Sequence, residues 1–318
     1  MRRHLAVLLL STALLATSCS AEDGEALAPS LRRPDQVTVG VIPILDVAPI
    51  YLGQREGFFL ERDIKLNLKS EVGGADVILG VISQKYQIGF SNVTSLLLAQ
   101  SNGVPVKMVS NGCNSTGTEG DFAALMVRGD SPIKSPVDLE GKTVATNTLQ
   151  NIVDTSVRAS VRNAGGDPKK VKFAAVPFPE MPAALQEGQV DAVFVVEPFQ
   201  QAVLADGGRK VASSYVDTAP NLTVATYFTG LKQQVDNPDL IRRFADAMAE
   251  SLAYADSHPD EARAIISTYT EIDPAVIDKL TLPKWPAKVN RESMQTLADL
   301  ALEDGLLKEP AFVDALFP

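Results

Sequence analysis

The chain reads as an α/β protein in two lobes, joined by two crossing strands and finished by a helical C-terminal part. Three observations predict this. The stretch Ala184-Leu-Gln-Glu-Gly-Gln-Val-Asp-Ala-Val-Phe-Val-Val-Glu-Pro198 is a short helix, a glycine stop at Gly188 and five apolar residues from Ala192 to Val196, then an acid and a proline. An unbroken apolar run suits a parallel strand covered on both faces, and Pro198 cannot continue its ladder. Open α/β sheets hold their ligands at such strand ends. The same pattern recurs more weakly from Val81 to Val93, about 100 residues earlier, which predicts two similar halves facing a cleft. Finally, strands and helices alternate to about Thr229, and helices alone follow.

Taken in order, Arg2 and Arg3 followed by the apolar Leu5 to Leu15 form a signal peptide, too short for a membrane span. Its end, Leu15-Ala-Thr-Ser-Cys19, resembles a bacterial lipoprotein box with cleavage before Cys19 and lipidation of its thiol; an ordinary secretory signal is the alternative. Residues 19–35 have no apolar period and read as a tether. Val37 to Ile42 is a buried strand, and Asp46 is placed to cap a helix that runs to about Glu56 and stops at Gly57. Ile64 to Leu68 alternates as a second strand. Gly73-Gly74-Ala75 opens a helix whose first N–H groups can approach a ligand closely. A strand ending at Ser91-Asn92, a helix from about Thr94, and a strand from Val104 to Val109 follow. Residues 110–120 are polar and glycine-rich and read as a loop.

Phe122 to Val127 then reads as the strand crossing into the second lobe, and Leu222 to Thr229 as the return. Between them lie a strand ending at Thr146, the loop Thr146-Asn147-Thr148, a helix from about Leu149 to Asn163, and a strand from Val171 to Val176. Expected boundaries are 1–18 for the signal, 19–35 for the tether, 36–125 with 225–318 for one lobe, and 126–224 for the other. With Cys19 spent on lipid, Cys113 has no partner for a disulfide, so stability rests on the core. Formal charge is −10, about −12 without Arg2 and Arg3, which argues against nucleic acid as a partner.

Six segments in this order carry a family resemblance: Tyr51-Leu-Gly-Gln-Arg-Glu-Gly-Phe-Phe-Leu-Glu-Arg62, Gly73-Gly-Ala75, Ser95 to Val106, Asp138-Leu-Glu-Gly-Lys-Thr-Val144, Gly188 to Pro198, and His258-Pro-Asp-Glu-Ala262. Together they resemble the type II periplasmic solute-binding proteins of ABC importers, in the branch that binds alkanesulfonates, taurine, nitrate or thiamine-precursor pyrimidines. Gln84 and Gln87 depart from it, standing where the family usually has Gly and Asp. The resemblance implies a monomeric lipoprotein at the outer face of the cell membrane, held there through Cys19 alone. It would capture a small ligand, without a cofactor, and deliver it to an ABC permease and its ATPase. It puts the ligand among Asp46, Tyr51, Gly74, Ala75, Asn92, Thr94, Thr146, Asn147, Thr148 and Glu197.

Each has a plainer alternative: Asp46, Asn92 and Thr148 as helix caps, Tyr51 as core, and Glu197 as an interlobe salt bridge. Trp285, between two prolines, reads as packing. An enzyme is disfavoured. After the signal the one histidine is His258, beside Ser257, which is expected to cap a helix away from the cleft; no Ser-His or Cys-His pair, metal cluster or phosphate loop is present. Related pyrimidine-synthesising enzymes of this fold depend on an active-site histidine that this chain does not offer. Two carboxylates, Asp46 and Glu197, with no basic residue at the motif positions, favour a planar nitrogen heterocycle such as a thiamine-precursor pyrimidine over an anion. A sulfonate, taurine or nitrate ligand, or a sensory lipoprotein without transport, are the alternatives.

Overall fold

The computed structural model describes residues 33–318; the expected signal peptide, Cys19 and most of the tether lie outside the described residues. The strands in chain order are β1 (Asp35–Val41), β2 (Ile64–Ser70), β3 (Ile88–Asn92), β4 (Val106–Asn114), β5 (Ala123–Val127), β6 (Thr143–Thr146), β7 (Lys172–Ala175), β8 (Ala192–Val196), β9 (Arg209–Ala212) and β10 (Thr223–Gly230). They form two five-stranded sheets, ordered β2-β1-β3-β10-β4 and β7-β6-β8-β5-β9. In each sheet four strands run in one direction and one antiparallel strand is inserted among them: β10 between β3 and β4, β5 between β8 and β9. The predicted α/β class with two facing halves is what the chain adopts.

The central strands are buried throughout, as their apolar runs require. Every residue of β3, β5 and β8 is buried, whereas the edge strand β2 begins by alternating buried and exposed positions and no residue of the edge strand β9 is fully buried. Helices cover the faces, the longest being Pro238–Ser257, which packs against Ala48–Glu56 through a buried stripe including Phe244, Met248 and Leu252. The last α-helix of the C-terminal part is Arg291–Glu303, and a 3-10 turn at Val313–Leu316 follows it.

Several expectations shift. Residues 110–114, read as loop, continue β4, because Asn111 and Asn114 find buried partners there: Asn111 Nδ2 donates to Pro286 O at 2.6 Å and Asn114 Nδ2 to Asn221 O at 3.1 Å. Polar side chains satisfied in this way do not break a strand. Phe122 to Val127 does not cross between sheets; β5 belongs to the second sheet alone, and the crossings are residues 115–122 and 213–222. Asp121 fixes the first crossing by accepting from Ser115 Oγ (2.7 Å), Thr116 N (2.9 Å) and Phe122 N (3.0 Å). The helix expected from Leu149 begins at Ile152, since Asn151, not Thr148, caps it. Helix Phe199–Ala205 and strand β9 have too little apolar pattern to be seen in advance. Ser257 caps nothing; its hydroxyl turns back to Ala253 O, and His258 is the first residue flanking the next helix.

The cleft between the sheets as a candidate functional site

Parallel strands that leave both sheets at their carboxyl ends bring four loops face to face. From the first sheet come residues 42–47 after β1 and 71–74 after β2; from the second, 147–151 after β6 and Glu197 after β8. The loops touch. Leu45 N donates to Glu197 O at 3.1 Å, and Asn147 Nδ2 donates to Val72 O at 3.3 Å. A Cβ on Gly73 would lie 2.6 Å from Thr148 Cγ2, so the close approach depends on glycine there.

On the first sheet, Gly73 precedes the helix Gly74–Ile82 and offers it no side-chain cap. The first-turn amides of that helix therefore have no side-chain acceptor, and its dipole is positive at this end. Gly74 is pressed against β3: a Cβ on it would sit 2.2 Å from Ser91 Oγ and 3.1 Å from Asn92 Nδ2. Ala75 is exposed in the same first turn. Asn92 is the N-cap of helix Val93–Ser101, accepting from Ser95 N at 2.9 Å. Thr94 lies in its first turn. Ser91 Oγ and Thr94 Oγ1 are buried without a hydrogen-bond partner among the described residues.

Asp46 is not a helix cap. It sits in the 3-10 turn Leu45–Val47 at 2% exposure, and the following helix Ala48–Glu56 has no side-chain cap. Its Oδ1 accepts from Cys113 Sγ at 3.2 Å, its carbonyl accepts from Trp285 Nε1 at 3.2 Å, and Oδ2 has no partner among the described residues. Burial pushes its carboxyl up to about 7, partly opposed by the thiol hydrogen bond, and the same burial with the nearby Asp46 raises the Cys113 thiol. Trp285 is packing, as expected.

In the second sheet's loop Asn151 is the hub. Its Nδ2 donates to Asn147 Oδ1 (2.8 Å) and Thr148 Oγ1 (3.1 Å), and its Oδ1 accepts from Thr146 Oγ1 (3.2 Å) and Val153 N (2.8 Å). Thr146, Asn147 and Thr148 are thus brought together, with Asn147 reaching the other lobe. The sequence signal for Asn151 was there to find: an Asn followed three residues later by Asp154 before an apolar helix.

Glu197 and Tyr51 are engaged by partners within the protein. Glu197 is wholly buried and its oxygens accept from Gln200 Nε2, Gln201 Nε2 and Thr281 N, each at 3.1 Å, and from Gln201 N at 3.3 Å. Burial raises it to about 7 against those bonds. In place of the interlobe salt bridge weighed from sequence, a backbone amide of the C-terminal part holds the carboxyl. Tyr51 gives one ring face to Tyr269 at 3.9 Å, and Tyr269 Oη donates to Ile44 O. Its core alternative is the one realised.

A family model described as NMT1/THI5 like matches residues 45–262. The chain belongs to the NMT1/THI5-like family. That match spans every candidate residue from Asp46 to Glu197. Among relatives of this NMT1/THI5-like chain, the taurine-binding periplasmic protein of Escherichia coli is 25% identical over 227 residues, covering 70% of this chain and 68% of that one. The alkanesulfonate-binding protein SsuA from Xanthomonas axonopodis pv. citri, solved bound to MOPS, superposes with a TM-score of 0.76 at 16% identity, over 90% of this chain and 99% of that one. The periplasmic nitrate-binding protein NrtA from Synechocystis gives a TM-score of 0.72 at 14% identity, over 89% and 85%. The fold is that of the periplasmic binding proteins, as the motifs implied. Among the described residues no His, Cys, Asp and Glu cluster fit to hold a metal occurs, and no helix is long and apolar enough to cross a membrane.

Proposed function

We propose that the chain is an extracytoplasmic solute-binding protein, a monomer tethered through a lipid on Cys19, that closes its two lobes on a small organic solute and delivers it to an ABC permease. One observation carries this reading. At the carboxyl edge of the first sheet, Asp46 Oδ2, Ser91 Oγ and Thr94 Oγ1 are buried without partners among the described residues, and a buried polar atom left unpaired is costly. A solute is the natural partner, and it would favour the closed arrangement by its greater affinity for it.

The solute's head is an anion of the sulfonate kind. The Ser91 hydroxyl stands beside the first turn of the Gly74–Ile82 helix, which has no side-chain cap, and the Thr94 hydroxyl lies in the first turn of the neighbouring helix capped by Asn92, so an anion could be held here without Arg or Lys. The charge argument for a heterocycle loses half its basis, because Glu197 is consumed inside the protein. Asp46, with its carboxyl raised to about 7, repels an anion progressively less as pH falls through that value. The relatives named for taurine and alkanesulfonates support the same head. The thiamine-precursor pyrimidine remains as second reading, favoured by the free Asp46 oxygen, which suits a ring N–H.

Calorimetric titration at pH 6 and pH 8 separates them, starting from protein shown to be ligand-free. An alkanesulfonate should bind more tightly at pH 6, where Asp46 is largely protonated. A heterocycle bound through ionised Asp46 should bind more tightly at pH 8. Failure of both ligand classes at both pH values would argue for the sensory alternative.

A further inference from the structure

Beside the polar locus the lining between the lobes becomes apolar. Ile42, Ile44 and Val72, from the loops after β1 and β2, face Pro177, Phe178 and Phe199 across a cavity of about 280 Å³. Phe178 and Phe199 lie with parallel rings, centroids 6.1 Å apart and planes 9° apart. Ile42, Ile44 and Phe178 are buried, while Val72 stands 48% exposed at the rim. The polar side chains at its edge are Ser70 and Glu71, and Glu71 is already held by Lys85 and Tyr86.

Two chain segments lead from this slot toward the polar locus. Ile44 precedes Asp46 by two residues, and Val72 adjoins Gly73 at the start of the Gly74–Ile82 helix. Gly74, two residues beyond Val72, lies against Ser91, which brings the rim of the slot near that hydroxyl. The slot's two walls also come from different sheets, so it is complete only when the lobes meet.

We propose that this slot is a tail subsite: the solute carries an apolar chain or ring several carbons long behind its polar head, and the slot selects it over solutes as short as taurine. The proposal rests on the solute-binding reading above and adds the part of the solute that sets specificity. Because the walls assemble on closure, tail burial favours the closed state alone and contributes fully to affinity. Each methylene that enters should improve affinity about fourfold, the equivalent of ~0.8 kcal/mol.

The test is a calorimetric series of straight-chain sulfonates, from ethane- to octanesulfonate, on the wild type and on Val72→Asp. Position 72 is half exposed at the rim, so a charge there leaves the fold intact while wetting the slot. A second variant, Phe178→Ala, opens the floor. Affinity is expected to climb with chain length in the wild type and then level off once the slot is filled. In both variants the octane-to-ethane ratio should fall at least about tenfold. Equal binding of short and long sulfonates by the wild type would overturn the tail subsite and leave solute binding standing. Silence across the series, with a pyrimidine bound instead, would overturn the sulfonate head and the tail subsite together.

Discussion

Asp46 and Glu197 are carboxyls placed where water does not reach, and their ordinary values of 3.8 and 4.5 rise to about 7 for that reason. Asp154, buried beside the second lobe's loop, rises to about 6. Between pH 4 and 7 the folded chain therefore holds more protons than the unfolded one. Stability contributed by these groups is present at the acid side and falls as pH rises through the folded values. The paired carboxyls of half-buried Glu71 and exposed Asp239 are shifted down by their partners and act the other way, losing their contribution only below about pH 4. Urea unfolding should therefore give a higher stability at pH 5 than at pH 8, by on the order of a few kcal/mol. In Asp46→Asn the difference should shrink. A wild type equally stable at both values, or a mutant with the full difference, would show that Asp46 is not protonated in the fold. Gln84 is a residue where the family motif's glycine is missed: its φ of 63° is the left-handed conformation a glycine would take without strain, and the turn is made regardless.

At the scale of elements, the helix start at Gly73-Gly74 and the loop Thr146–Asn151 are the two jaws. Gly73 has φ −162°, ordinary extended backbone, so alanine is tolerated there within a lobe. Its Cβ would collide with Thr148 of the other lobe. Gly73→Ala should leave the stability of the ligand-free protein within about 0.5 kcal/mol of wild type and weaken solute binding at least tenfold, or ~1.4 kcal/mol. Calorimetry with a matched urea melt reads both quantities; unchanged affinity would mean that the jaws do not need to touch. These jaws were legible in the sequence because glycines before a helix and polar residues after an apolar run are local signals. The strands with unbroken apolar runs, above all β8, were legible for the same reason. What local pattern hides is the partner. Glu197 follows a buried strand as a ligand carboxylate would, but the amide of Thr281, 84 residues later, donates to its carboxyl. Tyr51 looks like a free ring until Tyr269 covers it. The start of the Ile152–Asn163 helix was misplaced by three residues because Asn151, Thr148 and Gln150 all suit a turn, and the tertiary bond from Asn147 to Val72 favours the later cap.

For the whole molecule, two sheets, one with β10 inserted and the other with β5, are joined by the crossings at residues 115–122 and 213–222, and their carboxyl edges meet at bonds such as Leu45 N to Glu197 O and Asn147 Nδ2 to Val72 O. Such a contact is easily opened, and a solute that fills the unpaired polar atoms and the apolar slot has a ready means to hold it shut. The central claim is that binding and lobe closure are one event. Small-angle X-ray scattering of the lipid-free protein, with and without a saturating sulfonate whose binding has been confirmed by calorimetry, tests it most directly. The account predicts a smaller radius of gyration with ligand, and no such decrease in Gly73→Ala; confirmed binding with an unchanged radius in the wild type would contradict it.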